Sequence, residues 1–300
     1  MLRNVVTKQN RAIGSLWIVG GGVVLLIGGG AALAYSVSSL LLAIVGVFVA
    51  YIGMRGVNRG RRHFVRIGME SLADDQRPPV LYLRPFGYDG TDFHVSPGTL
   101  GRSAIERGFW RQMGVMMRLI RTSEQLLSRA FRDVGPLVAI GDPGSELPRL
   151  GAVRVYAREG LEWQNVVADL AKRSRYVILE IGLSDGVQWE VSFIAHTVPP
   201  QKLILSLPSD AKTARRFMRP GKRERRRLEY YAAFRAATVR EFPNPLPEKI
   251  GQARYIYFEA DWTPRPTYYQ REIMVPFGRR IRHPEDPKLE ALIWLNSVQF

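Results

Sequence analysis

The sequence predicts an α/β domain with a doubly wound, mostly parallel sheet, preceded by a transmembrane helical hairpin. Two observations lead there. From Ala12 to Met54, 43 consecutive residues carry no formal charge. Beyond Pro79, short apolar β-rich runs alternate with stretches whose apolar residues recur at helical spacing. At 300 residues and 34.0 kDa, one large domain on a membrane anchor fits the length.

The elements follow in order. Residues 1–11 form a basic tail. A helix crossing a hydrocarbon core of ~30 Å needs about 20 residues, so 12–54 holds two spans. The first is Ile13–Ala34 and the second has its core at Leu40–Met54, with the turn at Tyr35–Ser39. The glycine triplets at 20–22 and 28–30 suit either a close helix–helix packing face or simple membrane filler. Lys and Arg flank both outer ends and are absent from the central turn, which places both termini in the cytoplasm and the chain in the cell (inner) membrane as a multi-pass protein. Ala32-Leu33-Ala34 resembles a signal-peptide cleavage site. However, the apolar run before it is longer than a usual signal core, and a second apolar span follows directly.

Residues 55–78 read as a basic, partly helical juxtamembrane linker whose Arg55, Arg59, Arg61, Arg62 and Arg66 meet anionic lipid headgroups. The cytoplasmic domain then spans 79–300. Its predicted strands are Val80–Arg84, Leu137–Ile140, Ala152–Tyr156, Tyr176–Ile181, Lys202–Leu207 and Arg254–Glu259. Several are apolar throughout, as strands covered on both faces are. Its predicted helices are Ser123–Val134, Leu161–Ser174, Val187–Thr197, Ala211–Thr238 and Pro287–Val298, and 91–120 reads as an insertion.

Composition excludes several classes of function. There is no cysteine, so no disulfide framework, thiolate metal site or cysteine nucleophile exists. The four histidines (His63, His94, His196, His283) are far apart and have no metal-ligand spacing. The net charge of +16 suggests nucleic acid until it is located. Eight Lys/Arg and no acid lie in 1–67, and nine Lys/Arg with one Glu lie in Lys212–Arg227; the rest is balanced. The second run, with Arg223, Arg225, Arg226 and Arg227, lacks the interleaved aromatics of a single-strand platform and is broken by Pro220-Gly221. Anionic lipid or plain solvation suits it better than nucleic acid.

In such sheets ligands bind beyond the carboxyl ends of the strands. Three loops there combine glycines with carboxylates: 85–90 with Phe86 and Asp89, 141–146 with Gly141, Asp142 and Gly144, and 182–186 with Ser184. Such loops suit phosphate or ribose, and equally are what tight βα turns use. Gly182–Gly186 also fits the nucleophile-elbow pattern, in which Ser184 acts with Asp210 or Asp261 and with His283 as a serine hydrolase. Trp189 and Glu190 follow in the first turn of a helix, where a carboxylate is favoured by the helix dipole and a Trp is placed to stack on a planar ring.

Leu170–Ile194 (LAKRSRYVILEIGLSDGVQWEVSFI) resembles the middle of Toll/interleukin-receptor (TIR) domains: a helix, an apolar strand, a Ser/Gly loop and a Trp-Glu-bearing helix. Val80–Gly90 is similar to that family's first strand and its aromatic-plus-acid loop, and Gly141–Gly151 takes the place of its second-strand loop. Glu190 directly follows Trp189, whereas the family's catalytic glutamate usually lies four residues beyond the tryptophan. The resemblance implies a flavodoxin-like sheet that cleaves NAD at the nicotinamide glycosidic bond, with Glu190 catalytic. Phe86 and Trp189 would then contact rings, and Asp89 and the Gly141–Gly144 backbone would hold ribose or phosphate. No cofactor is required, since NAD would be substrate. The alternative it implies is a non-catalytic module that assembles with itself or a partner beneath the membrane.

Overall fold

The computed structural model describes residues 8–34, 39–68, 72, 75–85, 123–141, 146–157, 160–207, 220–251, 253–267 and 292. Seven strands form one sheet: β1 (Val80–Leu83), β2 (Leu137–Ile140), β3 (Val153–Val155), β4 (Tyr176–Glu180), β5 (Leu203–Ser206), β6 (Tyr255–Phe258) and β7 (Pro264–Pro266). Their order is β3-β2-β1-β4-β5-β6-β7. The pairs from β3 to β5 are parallel, and β6 and β7 are antiparallel additions at one edge. The fold is therefore mixed α/β with a mostly parallel sheet. The six strands predicted from apolar runs all form. β7 has no apolar run at all; its prolines lack the N–H that a central strand must donate, and the sheet edge tolerates them.

Alternation sorts the strand residues onto two faces. Leu81, Leu83, Val138, Ile140, Val177, Leu179, Leu203 and Leu205 share a core with α4 (Leu161–Arg173), α5 (Asp185–Thr197) and α6 (Pro220–Ala237). Val80, Tyr82, Leu137, Ala139, Ile178 and Ile204 face α3 (Ser123–Ala130) and Leu292. Helices on both faces explain why these strands read as unbroken apolar runs. Each fully buried Ile or Leu contributes about 1.5–3 kcal/mol.

Two helices precede the sheet: α1 (Arg11–Ala34) and α2 (Leu40–Arg62), the latter capped by the Ser39 hydroxyl. Three glycines in each, spaced by seven, form the seam between them: Gly14, Gly21 and Gly28 against Gly60, Gly53 and Gly46. A Cβ on Gly28 would lie 2.3 Å from the Ala50 backbone N, and one on Gly53 would lie 2.4 Å from the Leu25 N. A heptad of small residues is the pattern that keeps one face of a helix on its partner at backbone contact. Gly20, Gly22 and Gly30 have nothing within 4 Å and are not in the seam, so the packing reading holds for one set of glycines and not for the other. Outside the seam Leu16, Val19, Leu26, Ile27, Leu41 and Phe48 are exposed. Among the described residues α1 is the one helix long and apolar enough, over Arg11–Ala32, to cross a membrane.

Gly28→Leu should therefore force the helices apart, whereas Gly30→Leu should leave them packed. Backbone cannot yield as a side chain does, so the cost should exceed the 1–3 kcal/mol or so of ordinary overpacking. Hydrogen exchange of the hairpin amides in detergent micelles reads this directly. Equal exchange in the two variants would refute the seam.

The expected linker is a continuation of α2 through Arg62, followed by a segment docked on the sheet. Arg154 N donates to Arg66 O (3.1 Å), Gly68 N donates to Arg154 O (2.8 Å), and Ile67 bridges Arg154 in parallel. Gln9 Nε2 donates to the carbonyls of Arg62 and Val65, and Asn10 N donates to His63 Nδ1, so the start of α1 is tied to the end of α2. Arg62 departs from its expected place in the headgroups. It is half-buried, donating Nε to Pro148 O (2.9 Å) and Nη2 to Leu147 O. Arg55, Arg59, Arg61 and Arg66 are exposed, with Arg55 over the Tyr51 ring and Arg59 over the Trp17 ring.

Arg227 is a second correction. It is 1 % exposed, and its guanidinium donates to Gly251 O, Ala253 O and Glu224, bracing α6 against the approach to β6. A cation spent on buried carbonyls cannot lie on lipid. Arg225 and Arg226 are exposed; the side chain of Arg223 lies outside the described residues, as do 91–120, 211–219 and, apart from Leu292, 282–300.

Candidate functional site

The strand order reverses at β1 and β4: the chain leaves β1 towards β2 on one side, and reaches β4 from β3 on the other. The crevice of such a sheet lies outside the carboxyl ends of those two strands. There the chain exits as Arg84-Pro85 and as Ile181-Gly182. Gly182 is required by packing, since a Cβ would sit 2.7 Å from Pro85 Cγ. Gln188 Nε2 donates to Gly182 O and holds the loop on α5.

Ser184 is the N-cap residue of α5, with φ −74° and ψ 152° and no side-chain cap bond. That is relaxed extended backbone, not the strained turn of a nucleophile elbow. Asp261, offered as its distant partner, accepts from Thr263 N (2.9 Å) and Thr263 Oγ1 (2.8 Å) in the β6–β7 turn. Neither described member is seen in the setting that the serine-hydrolase reading asks for. Asp210 and His283 lie outside the described residues.

Glu190 is where the expectation changes most. α5 begins at Asp185, two residues before the expected start, and Asp185 supplies the first-turn acid. Glu190 falls on the second turn, on the buried face with Val187, Val191 and Ile194, and is 3 % exposed. It is no cap. Its Oε2 has no hydrogen-bond partner, and burial alone raises its pKa to about 8. Burial thus favours the protonated carboxyl, and a cation nearby would favour the charged one.

An aromatic stack lines the seam of α4 and α5. The Trp163 and Trp189 rings are 5.0 Å apart and tilted at 52°; Trp189 and Phe193 stack at 5.3 Å and 11°. Trp189 is therefore held by two neighbours, not free as expected. Trp163 Nε1 is buried without a partner. The sequence shows Trp163 only as one apolar residue of a helix face; its place beside Trp189 is a tertiary fact. One orphaned donor and one orphaned acceptor on adjoining helices each forgo a partner at a cost of about 1–3 kcal/mol.

On the opposite face, Tyr82 donates its hydroxyl to Glu180 Oε2 (2.5 Å), and burial first, then the Glu180 charge, push its pKa up. Beside them Glu124, 1 % exposed, lies between Arg154 and Arg84. Composition gave no sign of this buried group, because charge counts do not show burial. Gly141 needs no ligand to explain it, as a Cβ would lie 2.3 Å from the Tyr156 ring. Phe86, Asp89, Asp142 and Gly144 lie outside the described residues. Among those described, no group of three or more His, Asp and Glu is placed to hold a metal. No protein-family model, curated protein or solved structure matches the chain.

Proposed function

We propose that this is a TIR-like, flavodoxin-type α/β domain on a membrane hairpin, facing the cytoplasm, that binds NAD or a similar nucleotide and cleaves it at the glycosidic bond. The observation that carries the reading is the buried Glu190 carboxyl, its Oε2 without a partner, on the helix whose Trp189 packs against Trp163. The parallel order β2-β1-β4-β5 matches four strands of the flavodoxin arrangement, with β3 added at one edge and the antiparallel β6 and β7 at the other, and it supports the fold half of the reading. Small residues inside the hairpin and large apolar residues outside support the membrane half, with the exposed arginines meeting anionic lipid and copies of the chain assembling there.

The chemistry is the departure of a neutral pyridine from a cationic one. The C1′–N bond breaks, its electron pair passes to the nicotinamide ring nitrogen, and positive charge grows on the ribosyl carbon. Glu190 is protonated when the site is empty; arrival of the cationic ring favours loss of that proton, and the carboxylate then faces the charge that develops. Water adds to C1′ and gives its proton to solvent.

The test is nicotinamide release by the full chain, in micelles and in anionic liposomes, beside Glu190→Gln. We expect turnover by the parent and a loss of at least about 100-fold in the variant. Turnover indifferent to the substitution would move the catalytic residue elsewhere. None from the parent in either setting would leave the assembly module as the account.

A further inference from the structure

We propose that the hairpin is a lever fixed rigidly to the sheet, so that movement of α2 reaches β3 instead of being lost in a flexible linker. Three sets of bonds meet at the joint. The first comes from residues 8–10, ahead of α1. Lys8 N donates to Glu146 O (3.0 Å) and Lys8 Nζ to Glu146 Oε1 (2.7 Å), in the loop between β2 and β3. Gln9 Nε2 donates to the carbonyls of Arg62 (3.0 Å) and Val65 (3.1 Å). Asn10 N donates to His63 Nδ1 (3.0 Å), while Asn10 Oδ1 accepts from Ala12 N and Ile13 N and so caps α1. One short segment therefore holds the start of α1, the end of α2 and the β2–β3 loop.

The second set belongs to Arg62, the last residue of α2, whose guanidinium donates to Pro148 O (2.9 Å) and to Leu147 O in that same loop. The third lies at the sheet edge. Arg154 N donates to Arg66 O and Gly68 N donates to Arg154 O, so 66–68 runs beside β3 as a further strand would. Gly68 then turns the chain away at φ 87°, a conformation that favours glycine. The three sets act on different motions. Residues 8–10 hold α1 against α2, the Arg62 guanidinium opposes rotation of α2 about its own axis, and the main-chain bonds at 66–68 fix its position along β3. No one of these can turn without straining the other two. Were 63–79 a free coil instead, its ends would lie a root-mean-square distance of roughly 20 Å apart, with a spread to match. Arg154 passes the movement inward, because its guanidinium holds Glu124 on α3. The proposal does not rest on cleavage at Glu190, and the joint is the same in a micelle as in a bilayer.

The test uses the full chain in detergent micelles. It has no cysteine, so pairs of introduced cysteines carry spin labels without background. Ile52→Cys on α2 is paired with Lys172→Cys on α4 and, separately, with Ala236→Cys on α6, all three positions being exposed. We expect one narrow distance distribution for each pair by electron–electron double resonance. Arg62→Gln together with Gly68→Pro removes the guanidinium and the Gly68 donor, and should at least about double the width. Hydrogen exchange at the Arg154 amide gives the second reading. Gly28→Leu, which parts the helices, should quicken it at least about threefold, and Gly30→Leu should leave it unchanged. A parent distribution as broad as a free linker gives, a width unmoved by the joint variant, or a Gly28→Leu effect confined to hairpin amides overturns the lever.

Discussion

Glu190→Met should stabilise the protein, and the gain should grow as pH rises. The sign follows from the carboxyl's two environments. In the fold its pKa is about 8, against an ordinary value of 4.5, with burial as the cause. Below pH 4.5 or so it is protonated both folded and unfolded, and proton linkage is silent. Between there and about pH 8 the unfolded chain sheds the proton while the fold retains it, so stability falls by about 1.4 kcal/mol per pH unit. Above 8 both forms are ionised and the loss is complete. Its ceiling is roughly 5 kcal/mol, and relaxation around the group lowers it.

Methionine fills similar volume and does not titrate, so the variant should escape this loss. At about 2–4 °C per kcal/mol for a domain of this size, its melting point should exceed the parent's by roughly 5–15 °C at pH 9. At pH 5 the difference should be much smaller. Paired melts at the two pH values decide it. A difference that does not change with pH would mean that the carboxyl reaches water or a cation, and the candidate site would lose its premise. The expected outcome bears on function, since a side chain that costs stability at every pH above 5 is not held there by the fold. Stability alone would favour an apolar residue between Val187 and Ile194, so the acid points to a ligand.

The same carboxyl shows what the sequence could and could not tell. Trp189-Glu190 stood out because the strand Tyr176–Glu180 and its Gly-Ser loop are local patterns, and local patterns suffice to place a helix after a strand. They also gave the first hairpin helix and six strands nearly to the residue, and the second helix except for its run on through Arg62. What they missed depends on packing. The earlier start of α5 puts Glu190 on the second turn, and docking of the face it shares with Val187 and Ile194 makes it a core acid. Arg227 and Arg62 look like their solvated neighbours until the carbonyls of 251, 253, 147 and 148 are brought to them. The sense of β6 is invisible for another reason, since an apolar run reads the same in either direction.

Glu124→Ala should be among the most destabilising single changes in the domain. Glu124 sits on α3 with its carboxylate between Arg154 and Arg84, all three largely out of water. Removing the acid alone leaves two buried cations facing each other, and breaking a buried pair from one side costs about 3–5 kcal/mol. Replacing the pair together, as Glu124→Leu with Arg154→Met, removes the charges as well as the bond and should cost much less than the sum of the single changes. Denaturant midpoints of the two singles and the double give that coupling, expected at about 1–3 kcal/mol. Additive losses would show that the carboxylate and the guanidinium do not depend on each other. The coupling also reaches the hairpin, because the Arg154 backbone holds Arg66 and Gly68. In Glu124→Gln, where the acid is neutral but its shape remains, hydrogen exchange should quicken at Gly68 and Arg154 together.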